Sequence, residues 1–216
     1  MLFSNPLLAA TLLATLGLAH PLAAEDAQPP QLDARQSRST ENAQGCADMI
    51  IVFARGTTEG GNVGTIVGPP LLAAVKQAAG GRTVAMQGVD YPANIPGFLA
   101  GGDRQGSAEM AKQVQSFIAK CPGSQVVMSG YSQGGQLVHN AAEQLPAAAL
   151  QRVSSAVIFG DPKNGQPVAG LGQQKTLVIC RQGDNICDGG NRILAPHLQY
   201  GRDVGKAAEF MVGQAA

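Results

Sequence analysis

Five short apolar runs punctuate the chain: DMIIVFA at 48–54, RTVAMQGV at 82–89, SQVVMSG at 124–130, SSAVIFG at 154–160 and KTLVIC at 175–180. Each is rich in Val, Ile or both and ends at a glycine or a polar turn, which predicts buried strands. Helical patterns lie between and after them. GPPLLAAVKQAAG at 68–80 ends on glycine. The segment 101–122 sets Met110, Val114, Phe117 and Ile118 at helical spacing and stops at a proline. QGGQLVHNAAEQLP at 133–146 is a third helix, and DVGKAAEFMVG at 203–213 a shorter fourth. Strands alternating with helices predict an α/β fold, a mostly parallel five-stranded sheet covered on both faces. Ligands of such sheets sit beyond the C-terminal ends of the strands. No repeat and no second domain is visible.

The first 45 residues break this pattern. LLAATLLATLGLA at 7–19 is one apolar run, shorter than the ~20 residues of a membrane span and of the length of a signal-peptide core. With small residues following it, residues 1–24 are expected to be a signal peptide cleaved near 19 or 24. Residues 25–45 are polar and contain prolines, as in a leader or pro-segment, so the folded domain is expected over 46–216. Secretion suits the four cysteines, Cys46, Cys121, Cys180 and Cys187, which read as two disulfides with three possible pairings. Cys180 and Cys187 bracket one short loop, making Cys180–Cys187 with Cys46–Cys121 the economical choice. A metal site is the competing reading, but neither a CxxC nor a nearby histidine accompanies them. The formal net charge is zero over 216 residues, and there is neither a basic patch nor a stacking platform for nucleic acid. A monomer without stable membrane insertion is expected.

The candidate chemistry centres on Gly130-Tyr131-Ser132-Gln133-Gly134, set between a predicted strand and a predicted helix. In that context GxSxG reads as a nucleophile elbow rather than a glycine-rich turn. A serine hydroxyl needs a base. Beyond residue 45 the chain has two histidines, His139 and His197. His139 lies seven residues along the helix from Ser132, roughly 10 Å down its axis, and is expected to be a half-buried or surface residue. His197 follows the last strand and remains as the base. The acid lies between serine and histidine in chain order. Asp184 follows the second strand after the serine and lies inside the small cysteine loop; Asp161, in an Asp-Pro turn, is its rival. The Gln133 backbone N–H supplies one oxyanion donor, and Thr57, in the loop after the first strand, a second through its N–H and hydroxyl. This scheme requires no metal or organic cofactor. It requires a neutral His197, so activity falls as that ring becomes protonated.

RGTTEGGNVG, GYSQGG, FGDPKNGQPV and CRQGDNICDGGNRILAPHLQYG together resemble the fungal cutinases, over nearly everything from Cys46 to Phe210. The last block, with cysteines flanking the acid, is far more specific than GxSxG. The resemblance implies a small lidless α/β-hydrolase, secreted and acting on cutin polyester and simpler esters. It implies Ser132, Asp184 and His197 as the triad, Thr57 and Gln133 as the oxyanion hole, and the same cysteine pairing. Thr57 stands where many relatives have serine. Ile193 and Leu194 form an expected apolar wall of an acyl groove, opposite YPANIPGFLAGG, while Gly190, Asn191 and Arg192 make its rim more polar than in relatives. An acetylxylan-type esterase using the same triad, and an inactive surface-binding homologue, are the alternatives.

Overall fold

The computed structural model describes residues 1–2 and 40–214; the expected signal peptide apart from its first two residues, and most of the leader, lie outside these residues. Five strands, β1 (Met49–Ala54), β2 (Val84–Gly88), β3 (Gln125–Tyr131), β4 (Val153–Phe159) and β5 (Thr176–Ile179), fall on the five apolar runs. They form one sheet in the order β2-β1-β3-β4-β5. Every pairing is parallel.

Among the described residues six α-helices accompany the sheet: α1 (Gly68–Ala78), α2 (Ile95–Leu99), α3 (Arg104–Lys120), α4 (Gln133–Gln144), α5 (Ala147–Arg152) and α6 (Val204–Gly213). All of β1 is buried, because it is covered on both faces. Met49, Ile51 and Phe53 pack with Leu71 and Val75 of α1 and with Met211 of α6. Val52 and Ala54 face the opposite layer, with Met110 of α3 and Leu137 of α4. This two-residue alternation explains why a central strand reads as unbroken apolar sequence. Each such buried Ile or Phe contributes roughly 1.5–3 kcal/mol.

The short helices α2 and α5 are absent from the sequence expectation. Neither is long enough to show a helical period. α2 buries no residue and depends on local chemistry: Pro96 in its first turn, and the Asn94 side chain accepting from the Gly97 N–H at 2.8 Å. Packing onto the sheet begins ahead of Cys46, since the Gly88 N–H donates to Glu41 O (2.9 Å) and the Asn62 side chain bonds the Glu41 backbone on both sides. This segment thereby covers the otherwise open edge of β2. The disulfides are Cys46–Cys121, tying the chain before β1 to the end of α3, and Cys180–Cys187, closing the loop after β5.

Candidate active site

β3 ends at Tyr131 and α4 begins at Gln133, so Ser132 alone reverses the chain. It does so at φ 56°, ψ −120°, a conformation that costs a non-glycine residue roughly 1–3 kcal/mol. The turn is held by Ser132 N–H donating to Phe159 O (2.9 Å) and Gly135 N–H donating to Ser132 O (2.8 Å). Its tightness dictates the flanking glycines. A Cβ on Gly134 would collide with the Ala54 carbonyl, and one on Gly130 with the Gly134 backbone.

Ser132, His197 and Asp184 are brought together, each almost wholly buried. His197 Nε2 lies 2.9 Å from Ser132 Oγ, and His197 Nδ1 lies 2.8 Å from Asp184 Oδ2. A carboxylate only accepts, so Nδ1 carries the proton and Nε2 is left as the acceptor for the serine hydroxyl. The Cys180–Cys187 loop presents Asp184, whose Oδ1 also accepts the Ile186 N–H at 3.0 Å. His197 sits in a 3-10 helix, Ala195–Arg202. Three residues on, Tyr200 eclipses it, and its hydroxyl donates to Asp184 Oδ2 at 2.6 Å. From β3, the Tyr131 hydroxyl donates to the His197 carbonyl at 2.9 Å. Neither tyrosine was singled out by sequence reasoning. The His-x-x-Tyr spacing was the available signal for Tyr200.

Thr57 follows β1 and is tied by its side chain to Gln133, the residue after the serine. Gln133 Nε2 donates to Thr57 Oγ1 (2.8 Å) and to Asn94 O (2.9 Å). As the first residue of α4, Gln133 has a backbone N–H without an intrahelical acceptor. Glu59 organises the rest of this loop. Its carboxylate accepts the N–H groups of Gly56, Thr65 and Ile66 at 2.8–2.9 Å. An acid set among glycines was the sequence signal for that role.

A groove of about 810 Å³ opens over Ser132 and His197. Ile95, Phe98 and Leu99 line one part of it, and Ile193 and Leu198 another. Ile95, Leu99, Ile193 and Leu198 are 52–64% exposed, an apolar rim that a soluble surface does not need for folding. Asn191 joins the lining, whereas Leu194 does not. This corrects the expected wall: Leu194 has extended backbone just before the 3-10 helix, where successive side chains alternate, and Leu198 takes the place assigned to it.

His139 also departs from expectation. It is 3% exposed, and its Nε2 lies 2.9 Å from Asp161 Oδ2. α4 is packed so closely that nine of its residues are buried, which leaves His139 no route to the surface. Asp161 also accepts the Lys163 N–H (2.9 Å), so the rival acid partners His139 and not His197.

A family model described as Cutinase matches residues 45–215. A cutinase of Botryotinia fuckeliana is 58% identical over 78% of this chain and 84% of its own length. A Trichoderma reesei cutinase, solved with a phosphonate inhibitor, is 46% identical over 84% of this chain and 82% of its own, with a TM-score of 0.80. A solved acetyl xylan esterase is 26% identical, covering 78% and 98% of the two chains, with a TM-score of 0.60. On these similarities, and on the hydrogen-bonded serine, histidine and aspartate at the strand ends, the chain belongs to the cutinase family.

Proposed function

We propose that this chain is a secreted, monomeric serine esterase that cleaves the esters of cutin and of simple fatty acids through an acyl-enzyme. The observation that carries this reading is the Ser132–His197–Asp184 hydrogen-bond chain at the floor of an apolar-rimmed groove. Ser132 Oγ attacks the ester carbonyl as Nε2 takes its proton. Asp184 steadies the resulting imidazolium and holds the ring in its tautomer. The oxyanion meets the Gln133 N–H and the N–H and hydroxyl of Thr57. The imidazolium then protonates the leaving alcohol, and water, deprotonated by the same nitrogen, releases the acid. The exposed Ile and Leu side chains suit an acyl chain or a polyester surface better than a lone acetate. Two disulfides fit an oxidising compartment, and among the described residues no helix is long and apolar enough to cross a membrane.

The test is release of hydroxy fatty acids from cutin, with turnover of p-nitrophenyl esters of graded chain length, by wild type and Ser132→Ala. Wild type releases monomers and the variant does not. Hydrolysis of acetate esters alone, with no polyester release, would replace this reading with the acetylxylan-esterase one. Equal behaviour of the two proteins would remove catalysis altogether.

A further inference from the structure

We propose that Tyr200 is a positioning residue for this hydrolysis: its phenol proton, held on Asp184 Oδ2, limits how tightly that carboxylate grips the His197 imidazolium. The inference rests on the esterase reading above. Tyr200 is fully buried. Its oxygen accepts the Arg181 N–H at 3.0 Å, and its single proton points to Asp184 at 2.6 Å. The same carboxylate oxygen takes the His197 Nδ1–H at 2.8 Å. Two donors thus share one oxygen, and negative charge drawn toward the phenol is withheld from the ring.

The donor is well anchored. The Arg181 guanidinium grips Asp203 at 2.6 and 3.2 Å, which fixes the N–H beneath Tyr200. The Tyr200 and His197 rings meet edge to face, with centroids 5.9 Å apart. Burial, and then the bond to Asp184, raise the phenol above its ordinary range, so it remains a donor wherever the enzyme works. The other titratable groups facing this centre act elsewhere. Tyr131 from β3 bonds the His197 carbonyl, Glu59 binds loop amides, and Asp203 pairs with Arg181. Without the Tyr200 proton, the carboxylate holds the imidazolium more tightly, and His197 surrenders its proton only at higher pH.

The experiment is the pH dependence of kcat/KM on p-nitrophenyl butyrate for wild type, Tyr200→Phe and a protein with fluorinated tyrosine at position 200. The His197 Nδ1–H resonance is followed in parallel. Tyr200→Phe moves the acidic limb up by about 0.5–1 pH unit, a loss of about three- to tenfold on that limb, and shifts the resonance. The fluorinated phenol keeps its shape, donates more strongly and moves the limb down; it also carries the test should Tyr200→Phe not fold. Superimposable limbs would overturn the inference, even with lowered stability, because a purely structural tyrosine leaves the profile in place. A wild type that hydrolyses no ester would instead overturn the esterase reading and this inference with it.

Discussion

The Thr57 hydroxyl is proposed to serve the oxyanion, and the geometry sets the size of its effect. Gln133 Nε2 has two protons, and both are used, on Thr57 Oγ1 at 2.8 Å and on Asn94 O at 2.9 Å. Thr57 Oγ1 therefore accepts from Gln133, and its own proton is directed away from that amide. Thr57 and Ser132 both line the groove, where an ester carbonyl would take that proton. Thr57→Val keeps the branched shape and the backbone N–H and deletes only this donor. One oxyanion donor is worth roughly 2.7–4 kcal/mol, so kcat falls about 100- to 1,000-fold while KM changes little. Valine also strands one Gln133 proton in a buried position, at a cost of about 1–3 kcal/mol in stability. Thr57→Ser restores the donor and brings most of the activity back. The measurement is steady-state turnover of p-nitrophenyl butyrate, normalised by active-site titration with a phosphonate, beside thermal unfolding of each variant. A Thr57→Val enzyme within about threefold of wild type in kcat would refute the argument, since a donor worth several kcal/mol cannot be removed silently. A raised KM at constant kcat would place the hydroxyl in ground-state binding instead.

Two further outcomes follow from buried groups. All three tyrosines, Tyr91, Tyr131 and Tyr200, have phenols raised above the ordinary range, chiefly by desolvation. A raised folded-state value gives stability that is complete below the unfolded value of about 10 and is lost as pH climbs toward the folded one. Tyrosinate absorbance should therefore stay flat past about pH 10 and then rise together with loss of the circular-dichroism signal; a tyrosine titrating normally in folded protein would contradict this. Asp161→Ala leaves the buried His139 ring nitrogen without its 2.9 Å partner and should cost about 1–3 kcal/mol. An unchanged urea midpoint would show that the pair contributes nothing.

The elbow was legible because its requirements are local: a strand, one serine, two glycines that cannot carry a Cβ, and a helix. His197 was reached because only one other histidine lies beyond residue 45, and Asp184 because a cysteine loop marks it. Tyr200 was not found, since its role depends on an aspartate that reaches it from the β5 loop; Glu59 binds amides within seven residues of itself, and its signal was local but went unused. His139 was misplaced for the same reason that Tyr200 was missed. Helical distance removes it from the serine, but nothing local reveals that Asp161 arrives beside it.

By itself the sequence determined the strands, the long helices and the order of the chemical residues, because hydrophobic period and turn chemistry act over a few neighbours. It also marked the cutinase resemblance through blocks of contiguous residues. Only the tertiary structure decided which side chains share an atom: that His197 and Tyr200 meet on one oxygen of Asp184, that Gln133 spends both amide protons on two different loops, and that Leu198 rather than Leu194 lines the groove. Those outcomes depend on distances of a few ångströms between segments far apart in the chain, set when the two faces of the sheet are packed and not before.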